Sequence, residues 1–145
     1  KQMPDKKLLV IYWENDPQKQ KIFTIASWYN NINFKTLPWN RGFTDYVGKC
    51  IATIYIPIDE DFGMSPVESM SAWKPVLWVD DGWLKETIID GKTWYLIPKA
   101  ANIEDIMEAI NKLTIESCIE MKEDCIEIAK DFSLVQFEKK LKEYV

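Results

Sequence analysis

The chain has 145 residues, with 18 Lys and Arg against 23 Asp and Glu, for a formal net charge of −5. That length makes one ordinary domain with a true core, and 47% hydrophobic against 28% charged residues excludes wholesale disorder. The acidic balance, with Arg41 as the only arginine, disfavours a nucleic-acid surface, and no apolar run reaches the ~18–20 residues of a membrane span. Histidine is absent, which removes Ser-His-Asp and Cys-His mechanisms and leaves acid–base work to carboxylates, Lys or Tyr. No metal site is visible: there is neither a histidine nor a C-x-x-C pair. Cys50, Cys118 and Cys125 read as reduced thiols in a cytoplasmic protein, the last two sharing one face of a single helix. No secretory leader is visible, and the chain opens on Lys1, as a fragment or processed product would.

Residues 7–13 (KLLVIYW) form a continuous apolar run, the pattern of a strand buried on both faces. Residues 17–29 come next as a helix, with Ile22, Ile25, Ala26 and Tyr29 as its apolar stripe. Residues 32–37 alternate as a second strand, and 40–49 make a short helix capped from Asn40. Residues 50–57 (CIATIYIP) are a β-branched third strand. After a loop at 58–62, residues 63–71 are predicted helical, with Met64, Val67, Met70 and Ser71 on the buried face. Residues 75–79 (PVLWV) are a fourth strand, ended by the Asp80-Asp81-Gly82 turn. A turn or two of helix at 84–89 and an Asp90-Gly91 turn lead to a fifth strand at 93–97. Three helices close the chain. The first, 102–113, is capped by Asn102 and carries a stripe of Ile103, Ile106, Met107, Ile110 and Leu113. The second is 116–131, and the third, 133–144, carries Leu134, Phe137, Leu141 and Tyr144. Strands alternating with helices indicate an α/β layer fold with a mainly parallel sheet.

In such sheets ligands bind at the carboxyl ends of strands. Two segments compete for that place, 58–68 and 80–86. The first reads Glu60-Asp61-Phe62-Gly63-Met64-Ser65-Pro66-Val67-Glu68. Gly63 permits close backbone approach, and the helix start offers N–H groups and positive dipole to an anion. Glu60 and Glu68 could bracket an extended ligand with two sets of hydroxyls. An acidic first turn that only complements the helix dipole accounts for the same residues. For 80–86, an ordinary Asp-Gly turn with Glu86 as a first-turn helix acid is equally sufficient.

The run from Glu60 to Met70, and then Lys74-Pro75-Val76, closely resembles the E-x7-E signature of family 4 glycosyltransferases. The segments Lys85-Glu86-Thr87, Asp90-Gly91-Lys92-Thr93 and Tyr95-Leu96-Ile97, and the tail with Asp131-Phe132-Ser133, are similar to the region of that family C-terminal to the signature. The resemblance implies a retaining enzyme and a Rossmann-like three-layer α/β sandwich, one half of a GT-B fold. Residues 1–145 would then be the donor domain, lacking its first strand and helix and the acceptor-binding half. By the same resemblance Glu60, the catalytic candidate, contacts donor-sugar hydroxyls and Glu68 holds the ribose. Phe62, Gly63 and Met64 lie along the sugar and diphosphate, Ser65 opens the helix facing the diphosphate, and Glu86 supports the site.

Trp73, Trp83 and Trp94 stand where the family usually has glycine. Trp83 would stack on the sugar or occlude it, and a tryptophan does not readily take positive φ. The implied activity is sugar transfer from a nucleoside-diphosphate sugar to an unidentified hydroxyl acceptor, with no cofactor and no metal. An upstream acceptor-binding domain or partner chain would complete it, and peripheral membrane association through the missing half is a further expectation. The alternative is a non-catalytic nucleotide-sugar-binding or regulatory subunit that needs a partner chain. A flavodoxin-like module is a third reading, poorly served by strand-to-helix loops that lack a Gly-rich phosphate cradle.

Overall fold

The computed structural model describes residues 3–12, 14–36, 42–57, 63–81 and 91–144. The chain divides into two compact units, Lys1–Asp45 and Tyr46–Val145.

The first unit is a βαβ arrangement. Strand β1 (Leu8–Tyr12) pairs in parallel with β2 (Ile32–Thr36), with Leu8 opposite Ile32 and Tyr12 opposite Thr36. Helix α1 (Lys19–Ala26) connects them. Tyr12, Phe23 and Phe34, one from each element, meet edge to face, with Phe23 and Phe34 centroids 4.6 Å apart. Phe23 therefore holds the helix to the sheet, whereas Ile25, expected on the stripe, is exposed. Ile22, Ala26 and Tyr29 of that stripe are half-buried or buried as expected, and Phe23 takes the place of Ile25 because it offers more apolar area to the two rings. The expectation that residues 7–13 are buried on both faces fails too: Leu8, Leu9 and Ile11 are exposed. An apolar run records the capacity for burial, and only neighbouring elements supply it.

Helix α2 (Gly42–Val47) leads into the second unit, and Asn40, its expected cap, lies outside the described residues. Three parallel strands then run in the order β3-β4-β5: β3 (Thr53–Tyr55), β4 (Val76–Val79) and β5 (Trp94–Ile97). The third strand is shorter than the run 50–57 suggests. Cys50 N–H is spent closing α2, on Tyr46 and Val47 carbonyls, and the ladder begins only at Thr53 N–H to Pro75 O.

The central strand β4 is buried along its whole length and carries the core with Val67, Met70, Ile97, Leu113 and Cys125. Helix α3 (Met64–Ser71) packs on β3, β4 and α6 (Lys122–Asp131). It buries Pro66, Val67, Ser69 and Met70, while Met64 and Ser71 of the expected face are exposed. Helix α4 (Ile103–Lys112) starts as anticipated on Asn102, whose side chain takes the Asp105 N–H at 3.0 Å while Asp105 returns the bond at 2.9 Å. The predicted helix 116–131 is two, α5 (Ile115–Glu120) and α6, meeting at Met121. The Met121 N–H still reaches Ser117 O and Cys125 N–H reaches Met121 O, so Cys118, Met121 and Cys125 all keep facing the core. All three cysteines are free thiols, Cys118 and Cys125 buried and Cys50 half-buried. Helix α7 (Leu134–Glu143) begins at Ser133, and its stripe of Leu134, Phe137 and Leu141 is exposed, not covered as the spacing suggested.

Helix α3 ends in a Schellman motif. Trp73 N–H bonds Met70 O at 2.9 Å and Lys74 N–H bonds Ser69 O at 3.0 Å. The left-handed residue that this motif requires is Trp73, at φ 65°. The expectation that tryptophan avoids positive φ is overturned here, at a cost of roughly 1–2 kcal/mol.

Candidate functional site

The carboxyl ends of β3 and β4 lead to both segments singled out in the sequence. Gly63 closes the first, with φ 56°, in the region glycine enters without penalty. It is the N-cap of α3 and brings no side chain to that helix start. Pro66 lacks an N–H, so Met64 and Ser65 supply first-turn backbone donors. Met64 is exposed, Ser65 half-buried, and Glu68 exposed one turn further on. Thus Gly63, Met64, Ser65 and Glu68 come together on one helix start. Glu60, Phe62, Trp83 and Glu86 lie outside the described residues.

The helix start is braced from beneath by residues the sequence reading passed over. The Thr53 hydroxyl on β3 donates to Ser69 Oγ at 3.0 Å, and Ser69 Oγ donates to Ser65 O at 2.8 Å. Ser69 is buried, so both of its bonds are made away from water. A serine one position past Glu68, on the side facing the strand, was the available signal.

The second segment opens from a fixed base. Asp80 N–H bonds Ile97 O at 2.6 Å, extending the β4–β5 contact beyond the ladder. Trp78 Nε1–H donates to Asp81 O at 3.1 Å, and the Asp81 carboxylate meets Lys99 Nζ at 2.7 Å. Lys99, just past β5, brings a cation to this end of the sheet, and it was also missed. Tyr55 stacks on Trp78 with centroids 5.0 Å apart, joining the ends of β3 and β4. Lys74 is far from this arrangement in topology, since it precedes β4 while Gly63 and Asp80 come after β3 and β4. Among the described residues no group of three metal-ligating side chains exists. Chemically, the site offers backbone donors for an anion and a carboxylate for hydroxyls.

The chain matches the model of the family described as glycosyl transferases group 1 over residues 4–132. It is 44% identical over 64 residues to alpha-1,3/1,6-mannosyltransferase ALG2 of Dictyostelium discoideum, covering 44% of this chain and 15% of that protein. The matched region therefore spans about one-seventh of the length of this curated relative. The chain superposes on pneumococcal O-GlcNAc transferase GtfA, solved in complex with UDP and GlcNAc, with TM-score 0.76 and 18% identity, covering 99% of this chain and 29% of that one. For sucrose-phosphate synthase of Thermosynechococcus elongatus the TM-score is 0.78 at 19% identity, covering 99% of this chain and 40% of that one. At such identities the likeness establishes the fold: mainly parallel α/β, one half of a GT-B architecture.

Proposed function

Because the chain belongs to the glycosyl transferases group 1 family, we propose that it is the nucleotide-sugar-binding part of a retaining glycosyltransferase. The reaction moves a sugar from a nucleoside-diphosphate sugar to a hydroxyl acceptor, with no metal or cofactor. The observation that carries this reading is the start of α3, a helix N-terminus after β3 whose cap residue, Gly63 at φ 56°, brings no side chain to it. Such a start receives a diphosphate, and the Met64 and Ser65 amides stabilise the charge that grows on it as the glycosidic bond breaks. Glu68, exposed beside it, accepts the ribose hydroxyls. By the family resemblance we assign Glu60 to the sugar hydroxyls and Phe62, Trp83 and Glu86 to donor binding. The acceptor half comes from another domain or a partner chain.

Calorimetric titration of two variants tests the division of labour. Glu68→Gln weakens the nucleoside diphosphate and the nucleotide sugar alike, because both carry the ribose. Glu60→Gln weakens only the nucleotide sugar. Each loss is about 1–3 kcal/mol, since a neutral acceptor replaces a charged one. Equal losses for both ligands in Glu60→Gln break the assignment, and no loss in either variant returns both residues to dipole complements.

A further inference from the structure

A cavity of about 250 Å³ opens between the residues just before β3 and β4 and the helices α5 and α6, so its strand-side wall lies at the amino end of the sheet, whereas Gly63 and Asp80 follow the carboxyl ends. Its apolar walls are Ile51, Trp73, Ile115 and Ile119, all of them exposed. Lys74 and Lys122 add two cations and Cys50 and Cys118 two thiols, and no carboxylate is among the described lining residues, in a chain whose net charge is −5. Lys122 Nζ stands 4.1 Å from the centre of the Trp73 ring.

Trp73 is the feature that asks for a reason. It occupies the left-handed position of the Schellman motif, where glycine fits without strain. Trp73 is 51% exposed, so about half of this large ring is left uncovered at a position that strains its backbone. What the ring gains in the free chain is one cation–π contact, modest at an exposed site. Backbone strain beneath a half-uncovered ring is the kind of outlier from which a functional position is inferred. The cavity is somewhat smaller than the ~300–1,000 Å³ of ordinary ligand pockets, which suits one ring or one short chain.

We propose that this cavity binds a small anion carrying an apolar tail or ring, such as an alkyl phosphate or carboxylate. The tail lies on Trp73 between Ile51, Ile115 and Ile119, and the anion meets Lys74 and Lys122. Apolar walls beside two cations match such a ligand in both halves, and neither half alone satisfies the cavity. Cys50 lines the same space beside Lys74, its thiol pushed up by burial and pulled partway back by that ammonium. The site is independent of sugar transfer and stands or falls without it.

The test is calorimetric titration of the chain with octyl phosphate below its micellar concentration, beside inorganic phosphate and octanol. Octyl phosphate saturates one site at least about tenfold more tightly than either control. Its binding slows alkylation of Cys50, tracked by mass spectrometry. Trp73→Gly loses that affinity at least about tenfold and yet melts higher, because glycine relieves the strain. Ile119→Ser, at a position 65% exposed, leaves melting unchanged and weakens binding in the same way. Lys122→Met narrows the gap between octyl phosphate and octanol, and Lys74→Met with Lys122→Met closes it. Equal affinity for octanol and octyl phosphate overturns the proposal, as does unhindered alkylation of Cys50. A Trp73→Gly variant that melts lower or fails to fold also overturns it, since the ring then serves the fold. Attachment to anionic phospholipid vesicles with no binding of monomeric octyl phosphate replaces the cavity with a membrane-docking surface and overturns it too.

Discussion

Strands β1 and β4 read almost alike, LLVIY against VLWV, yet one is half exposed and the other is buried throughout. The difference lies in their neighbours. β4 is hydrogen-bonded on both edges, to β3 and β5, and α3 packs against it. Among the described residues β1 is bonded along one edge only, to β2. Apolar composition makes a strand fit to be buried, and topology decides whether it is.

The sharpest way to break that comparison is to cut the same side chain from both strands. Leu77 in β4 is 0% exposed and Leu9 in β1 is 37% exposed. Leu77→Ala should cost about 2–5 kcal/mol, transfer loss plus cavity, whereas Leu9→Ala should cost about 1 kcal/mol or less. Urea unfolding of the two variants measures both, and similar costs would mean that β1 is covered in solution.

A second contrast is confined to the unit that contains the cysteines. Burial, with Asp124 and Cys118 adding to it, pushes the Cys125 thiol up to about 12. In the unfolded chain it ionises near ~8.5. The folded state therefore holds a proton that the unfolded state gives up. Stability from this group is complete below ~8.5 and declines as pH rises toward 12, by at most about 1.4 kcal/mol per pH unit. Cys125→Ala should flatten that part of the curve, read as the difference between the two proteins in denaturant titrations from about pH 8 to 11, the window between the two ionisations.

The smallest contrast is in helix starts. Asn102 forms a complete capping box, while Gln18, before α1, makes no side-chain cap bond. Asn102→Ala should cost about 1 kcal/mol and Gln18→Ala close to nothing. Circular-dichroism melts separate the two outcomes, and a matching loss at Gln18 would reveal a cap there.

The same logic explains what could be read in advance. The Asn102 cap and the β4 run are local signals, and both appear in the structure where they were expected. The string from Glu60 to Glu68 pointed to a strand-to-helix junction, and Gly63 takes the positive φ such a junction uses. The buried face of α3 was harder. Helical spacing favoured Met64 and Ser71, but the strands and α6 accept Pro66 and Ser69 instead. Ser69 is polar, and its buried hydroxyl is matched by Ser65 O one turn back and by Thr53, 16 residues away. Lys99 likewise became visible only through Asp81. Side chains whose role depends on one distant partner leave no periodic trace.

That partnership of Thr53 and Ser69 bears on how such a protein changes over generations. The side chains that face outward from α3, Met64 and Glu68, carry none of the side-chain bonds that brace the helix, which run through Thr53, Ser69 and the Ser65 carbonyl. If α3 receives the donor as proposed, substituting the exposed pair alters what the site prefers and leaves its position intact. Substituting the buried pair shifts every group on the helix at once. The two kinds of change are therefore open to inheritance separately, and preference can drift while the scaffold stays under constraint.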